Sequence, residues 1–357
     1  MTKNSSHSLT ISDVSYLTPE SVEITFIVPT SLRSYYTFKP GQYVALEKKI
    51  SGQSLRRTYS ISSVPTDGSL SVGIKKVLDG KFSNYAFDYL KVGEKLKVFK
   101  PDGRFFINYE DNQNLIFIAC GSGITPVISI IDFILKTKKN STITLIYGNK
   151  TIESTMYRDR LEALKNSYLE QLSLRYFFSE GNQEIKFSQG RIDENKIEVL
   201  INQKQLIPSK VNAVFLCGPQ AMISSMKKIF TKHLDTHVPI ISELFVSDEK
   251  PTQKKKSVLK KQGKIKSLVK IRIDGIEKNM ELIDNETIID AALRQKIELP
   301  FSCKGGMCCT CRCLVKEGEV VLEKNYSLEK WEEEMGFTLA CQAYPKTNRV
   351  FLDFDAS

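Results

Sequence analysis

Six of the eight cysteines in this 357-residue chain lie between positions 303 and 341, and their spacing is its most specific chemical signal. Cys303 and Cys308 are separated by four residues, Cys308 and Cys311 by two, and Cys311 and Cys341 by twenty-nine. A C-x4-C-x2-C run with a distant fourth cysteine is the arrangement in which four thiolates hold a 2Fe-2S cluster. Gly305 and Gly306 would let the backbone fold closely round such a cluster and turn amide N–H groups towards its sulfurs. Cys309 and Cys313 fall outside the spacing, and ligand sets that include them stay open. Zinc is the alternative occupant, but its sites usually show paired C-x2-C hooks and only one such pair occurs here.

Two further constellations sit where strands should end. The unbroken apolar run Leu115 to Ala119 leads into Gly121-Ser122-Gly123-Ile124-Thr125-Pro126 and then a helical stretch to about Lys138. A glycine turn between a buried strand and a helix admits a pyrophosphate to the helix N-terminus, and Pro126 suits a helix start. It does, however, replace the last glycine of the G-x-G-x-x-G fingerprint. Cys217-Gly218-Pro219 closes the run Ala213 to Leu216, at the carboxyl edge where open α/β sheets bind ligands.

The elements that must position these groups fall into stretches of different rhythm. Residues 1–110 carry short β-rich runs, with Val22, Ile24, Phe26 and Val28 alternating and further runs at Tyr43–Leu46, Leu70–Lys75 and Leu96–Phe99. An antiparallel β-barrel is expected there. Residues 111–246 alternate strands (Thr142–Tyr147, Leu172–Phe178, Ala213–Leu216) with helical segments near Thr155–Asn166 and Gln220–Leu234, which predicts an α/β domain with a parallel sheet. Residues 247–268 are lysine-rich without apolar period and read as a linker. Residues 269–357, with a strand at Val269–Ile273, a helix at Thr287–Gln295 and the cysteine cluster, form a third domain.

The net charge of +10 is unevenly placed: residues 247–270 carry +7, residues 271–357 carry −5 and the remainder +8. A basic body beside an acidic module favours mutual docking over nucleic-acid binding, and no aromatic side chain interleaves the lysine run. No stretch approaches the roughly 18 apolar residues of a membrane span, and Met1 to Thr10 is polar rather than signal-like, so a soluble, cytoplasmic protein is expected. With three histidines in all, His7, His233 and His237, the chain shows no oxygen-activating metal site of its own.

The last quarter of the chain resembles plant-type ferredoxins, which adopt a β-grasp fold. Arg57-Thr58-Tyr59-Ser60, following Lys39-Pro40-Gly41-Gln42-Tyr43, resembles the flavin-binding signature of the ferredoxin-NADP reductase family. That resemblance implies FAD, with Arg57 on its pyrophosphate, Tyr59 on the flavin and Ser60 near N5. Thr58, Ile74 and Lys75 belong to the same site, and Gly80-Lys81-Phe82-Ser83 is a phosphate-binding turn in which Gly80, Lys81 and Ser83 contact the cofactor. It further implies NADPH or NADH bound by Gly121, Ser122, Gly123, Ile124, Thr125, Pro126, Ser179, Cys217, Gly218, Pro219 and Phe245. Ser60, Cys217 and Glu243 take the catalytic places, Glu243-Leu244-Phe245 being similar to the family's terminal Glu-x-aromatic.

The domain order resembles that of reductase components of multicomponent oxygenases, those of phenylacetyl-CoA epoxidase systems above all. The shared stretches are Ser54 to Ser60, Gly121 to Ile130, Tyr147-Gly148-Asn149-Lys150 and Leu161 to Leu174. Such proteins pass electrons from NAD(P)H through FAD and a 2Fe-2S cluster to an oxygenase, here expected to be a diiron protein of phenylacetate catabolism. The acidic Glu332, Glu333 and Glu334 offer it a docking surface. A reductase for another diiron or a Rieske oxygenase, and a zinc-stabilised redox sensor, are the competing readings. Where relatives place Ser-Arg after the third nicotinamide-domain strand, this chain has Ser179-Glu180; a carboxylate there repels a 2′-phosphate and suits a free ribose hydroxyl.

Overall fold

The computed structural model describes residues 6–65, 68–181, 186–245 and 267–356. The expected lysine-rich linker lies outside them, apart from Ser267 and Leu268, which already belong to a strand.

Six strands make the first sheet: β1 (Ser6–Thr18), β2 (Ser21–Ile27), β3 (Tyr43–Ile50), β4 (Gln53–Ser60), β5 (Leu70–Lys75) and β6 (Lys95–Phe99), in the order β4-β3-β6-β1-β2-β5. Alternation drives the curl. Val22, Ile24 and Phe26 of β2 point inward and are almost wholly buried, while Glu23 and Thr25 face out. The two edge strands meet where Ile61, just beyond β4, bridges Val72 of β5 and the Ser62 N–H donates to Ser71 O at 2.9 Å. That closure turns the sheet into the expected antiparallel barrel. Helix α1 (Lys81–Tyr89) caps it with Phe82 and Ala86 buried. The glycine-to-Ser83 turn thus already contains the start of the helix.

Strands β7 (Asn114–Cys120), β8 (Thr142–Asn149), β9 (Leu172–Phe178), β10 (Ala213–Gly218) and β11 (Ile240–Leu244) form a parallel sheet ordered β11-β10-β7-β8-β9. Helices α2 (Ile124–Thr137), α3 (Arg158–Ser167), α4 (Glu194–Asn202) and α5 (Gln220–His233) connect it. The continuous apolar run of β7 follows from burial on both faces: Leu115 and Phe117 pack into one core, Ile116 and Ile118 into the other. Helix α3 begins later than expected, because Tyr157 takes a left-handed backbone (φ 58°) and stops the turn from Thr155 joining the helix. Pro126 falls third in α2 rather than first, still within the turn whose N–H groups need no intrahelical acceptor.

The C-terminal body has strands β12 (Ser267–Ile273), β13 (Ile276–Leu282), β14 (Arg312–Glu317), β15 (Val320–Leu322), β16 (Phe337–Leu339), β17 (Ala343–Pro345) and β18 (Arg349–Asp353), with helices α6 (Ile288–Arg294) and α7 (Lys330–Glu334). Its main sheet runs β13-β12-β18-β14-β16, with β12 and β18 parallel and the other pairs antiparallel. Helix α6 is capped by Thr287, whose hydroxyl accepts from the Asp290 N–H at 3.2 Å, and buries Ile288, Ile289, Ala291 and Ala292. Among the described residues no helix is long and apolar enough to cross a membrane.

Candidate redox sites

The cysteine loop lies between α6 and β14, and the fold brings its sulfurs together. The Gly305 and Met307 N–H groups donate to Cys303 Sγ at 3.3 and 3.4 Å, and the Cys303 N–H donates to Cys308 Sγ at 3.5 Å. Interaction with Cys308 and then Cys341 pulls the Cys303 thiol down, and Cys341 in turn is pushed up by Cys303 and Cys311, so all four sulfurs share one neighbourhood. Gly306 has φ 75°, and a Cβ on it would stand 2.8 Å from Lys324 O; the turn needs glycine there. Amide donors aimed at sulfur stabilise thiolate, which is what cluster iron requires. The donor set therefore fits a 2Fe-2S cluster. No group of three or more His, Cys, Asp and Glu among the described residues stands at single-ion geometry.

The other two cysteines of the loop region are placed differently. Cys313 is fully buried in the hydrophobic core, and Cys309 donates its thiol to Ser327 O at 3.2 Å. Of the three acids expected on the docking surface, Glu332 is not there: it is fully buried and sits 3.3 Å from Arg312, whose guanidinium lies 3.8 Å over the Phe337 ring. Glu333 and Glu334 remain exposed beside Trp331 and Met335. The heptapeptide Glu329–Met335 gave no sign of this split because an acidic run reads alike whichever member turns inward.

In the flavin barrel, β4 carries Arg57, Thr58, Tyr59 and Ser60 in succession; Arg57 is exposed and Ser60 is buried. Tyr59 meets Phe82 of α1 with ring centroids 5.7 Å apart, which joins the strand motif to the glycine turn. Gly80 precedes α1, and a Cβ there would stand 2.3 Å from Val77 Cγ2 and 2.4 Å from Ser83 Oγ. A cleft of about 620 Å³ opens between this helix and the β3–β4 hairpin, lined by Lys49, Gln53, Lys81, Asn84, Tyr85 and Asp88 among others. Asn84 Oδ1 is buried there without a hydrogen-bond partner. Of the expected flavin residues only Lys81 lines this cleft; its two lysines, the Tyr85 ring and the unused Asn84 acceptor suit a nucleotide, while the Asp88 carboxylate there is paired with Lys76 at 3.0 Å. Lys49, Gln53, Asn84 and Tyr85 were not among the expected contacts, since a hairpin tip and a helix flank have no sequence signature until they face each other. Ile74 lies in the barrel core, and Lys75 stands 3.9 Å from Glu20.

The nicotinamide motifs converge at the carboxyl edge of the parallel sheet. Gly121 has φ 54°, and its carbonyl accepts from Tyr147 Oη at 2.9 Å. A Cβ on Gly123 would lie 2.3 Å from the Cys217 carbonyl oxygen, so only glycine lets the turn pass the end of β10. Thr125 Oγ1 donates to Ser122 O at 3.0 Å, and Pro219 precedes α5. Cys217 pairs in register with Glu243, and the Phe245 N–H donates to Gly218 O at 2.9 Å. Cys217, Gly218, Pro219, Glu243 and Phe245 therefore share one edge with the Gly121–Pro126 turn. Ser179 stands apart, at the end of β9, its N–H on Asn149 O at 3.0 Å, and the Glu180 N–H donates to Lys150 O at 2.8 Å.

Glu243 Oε2 is buried without a partner although other atoms of the residue reach solvent, and burial pushes its carboxyl up to about 8. Burial, then Glu243 and Cys120, hold the Cys217 thiol well above its usual range. Both shifts favour the neutral form near pH 7. A carboxyl that stays protonated in the folded chain while the unfolded chain has ionised makes stability fall as pH rises from the ordinary glutamate range towards about 8. Glu243→Gln should remove that fall. Its melting midpoint should exceed that of the parent near pH 8 and match it near pH 4.5, and an equal gain at both pH values would show the acid to be ionised throughout.

Comparison with known proteins gives three family matches in chain order: the oxidoreductase FAD-binding domain over residues 8–107, the oxidoreductase NAD-binding domain over 117–228, and the 2Fe-2S iron-sulfur cluster binding domain over 271–346. The chain is 40% identical over 354 residues to one of the subunits of the 1,2-phenylacetyl-CoA epoxidase of Escherichia coli, covering 98% of each. It is 29% identical to the ferredoxin reductase component of a 3-ketosteroid-9-alpha-monooxygenase from Rhodococcus rhodochrous, covering 97% of this chain and 96% of that one. Among solved structures, phthalate dioxygenase reductase matches with a TM-score of 0.61 at 18% identity over 98% of both chains, a likeness of fold.

Proposed function

Because the chain belongs to the family of FAD- and NAD-binding reductases with a C-terminal 2Fe-2S domain, a family shared with that 1,2-phenylacetyl-CoA epoxidase component, we propose that it serves an epoxidase of the same kind, with a diiron oxygenase as its electron acceptor. The observation that carries this is the 40% identity sustained over 98% of the chain, through all three domains. Bound FAD would supply acceptance of one hydride, with its two electrons, from NAD(P)H, and the cluster would supply passage of those electrons one at a time.

The protein's own groups do the rest. Arg57 and Lys81 would meet the pyrophosphate charge, Tyr59 the ring system and Ser60 the N5 edge. Gly121, left-handed at φ 54°, and Gly123, packed against the Cys217 carbonyl, would shape the turn for the nicotinamide dinucleotide, while Cys217 and Glu243 would line the nicotinamide site with uncharged polar groups. Cys303, Cys308, Cys311 and Cys341 hold the cluster, with the Gly305 and Met307 N–H groups directed at Cys303.

Exposed Glu333 and Glu334 beside Trp331 and Met335 suit a basic, partly apolar patch on the acceptor. The test is turnover of phenylacetyl-CoA when the reductase is mixed with purified epoxidase oxygenase and NAD(P)H. Coupled oxidation that declines steeply with added salt is expected. Nicotinamide oxidation without substrate oxidation, together with productive coupling to a 3-ketosteroid oxygenase, would assign the protein to another system.

A further inference from the structure

Outside the motifs lies a buried knot of polar groups joining the flavin barrel to the nicotinamide domain. Glu23 stands on the outward face of β2, opposite Gly73 of β5. Its Oε1 accepts from Ser62 Oγ at 2.5 Å, on the chain leaving β4, and from Tyr157 Oη at 2.8 Å, in the nicotinamide domain. Gly73 makes the slot: a Cβ there would stand 2.5 Å from Tyr157 Oη and 2.8 Å from Thr125 Cγ2. The carbonyls that follow are held from the same side, Ser62 O by Arg160 Nη1 at 3.2 Å and Ser63 O by Ser129 Oγ at 2.6 Å. Arg160 is itself fixed by Asp132, to which its Nε and Nη2 donate at 3.2 and 2.5 Å. Ser62, Ser63, Ser129, Asp132 and Tyr157 are all buried.

Among the eleven described non-glycine residues with a left-handed backbone Tyr157 is the one aromatic, a bulky side chain for which that conformation persists where its surroundings fix it. Its ring is inserted into the other domain like a tenon. Thr125, against the same slot, belongs to the glycine turn for the dinucleotide, and Ser60, assigned above to the flavin N5 edge, lies two residues before Ser62.

We infer that Glu23 and Tyr157 are positioning residues for hydride transfer: their shared hydrogen bond sets the register between the segment that follows the flavin-contacting Ser60 and the turn that holds the nicotinamide. The inference rests on the flavin and nicotinamide assignments above. A carboxylate that accepts from both domains fixes distance and angle together, which neither a packing contact nor a single bond does.

The variants are Glu23→Gln and Tyr157→Phe, each close in shape to the parent, and the readouts are two. In single-turnover mixing of the full holoprotein with NADH and NADPH, flavin reduction should slow about tenfold or more, since a misplacement of about 1 Å costs on the order of 100-fold. Flavin content, cluster content and the apparent dissociation constant of the nucleotide should stay within about twofold of the parent, as expected when orientation rather than binding is lost. Without nucleotide, amide hydrogen exchange should rise at residues 60–63 and 155–158 and nowhere else. Either readout staying at the parent level, or a general rise in exchange with loss of flavin, overturns the inference. A parent protein whose flavin is not reduced by either nucleotide would instead overturn the site assignments on which it rests.

Discussion

Serine in place of Cys303, Cys308, Cys311 or Cys341 should erase the cluster's visible absorbance and low-temperature electron-spin signal. It should also cut electron delivery to a protein acceptor by more than about 100-fold, because loss of a mere outer hydrogen-bond partner already costs 10- to 100-fold and a ligand costs more. Flavin reduction by NAD(P)H, followed with ferricyanide as acceptor, should be spared. The contrast lies in the neighbours. Cys313→Ala removes a core side chain and should lower stability by about 1–2 kcal/mol while leaving the cluster spectrum intact. Cys309→Ser replaces one weak donor to Ser327 O by a stronger one and should also keep the cluster. A cluster lost in either neighbour and kept in any of the four would redraw the ligand set.

Glu180→Arg should turn coenzyme preference round. The parent carboxylate, exposed just beyond β9 with its N–H bonded to Lys150 O, would accept a ribose hydroxyl and repel a 2′-phosphate, so the parent should favour NADH. Exchanging that repulsion for a charge-assisted hydrogen bond is worth about 3 kcal/mol, or a shift of about 100-fold in the NADPH-to-NADH ratio of kcat/KM. The change should sit mainly in KM. A parent protein that already favours NADPH strongly would overturn this reading of Glu180.

How much of this was legible in the chain differs from element to element. The gathering of Cys303, Cys308, Cys311 and Cys341, the close turns at Gly80 and Gly123 and the end of β10 at Cys217 were readable because few residue types suit such places: a thiol proposed as ligand, a passage too narrow for a Cβ, a strand end in contact with a glycine turn. The parallel sheet was readable from β7, whose burial on both faces leaves no polar alternation. Helix α4 was missed despite its Asp193 cap, which accepts from the Lys196 N–H at 2.9 Å, since its apolar positions are few.

Other features depend on contacts between segments distant in sequence. Glu23 looks like any outward residue of an alternating strand until Tyr157 arrives from 134 positions away. Glu332 looks like a surface acid until Arg312 and Phe337 enclose it.

The central claim is a sequence of electron transfers, nicotinamide to flavin to cluster, within one chain. It is tested most directly by rapid anaerobic mixing with NADH while the flavin and cluster bands are followed separately, with parallel freezing for the cluster's electron-spin signal. The account predicts that flavin bleaching comes first, that the cluster signal grows afterwards, and that flavin-depleted protein shows no cluster reduction. Cluster reduction at an undiminished rate without flavin, or a flavin that bleaches fully while the cluster stays oxidised, would contradict it.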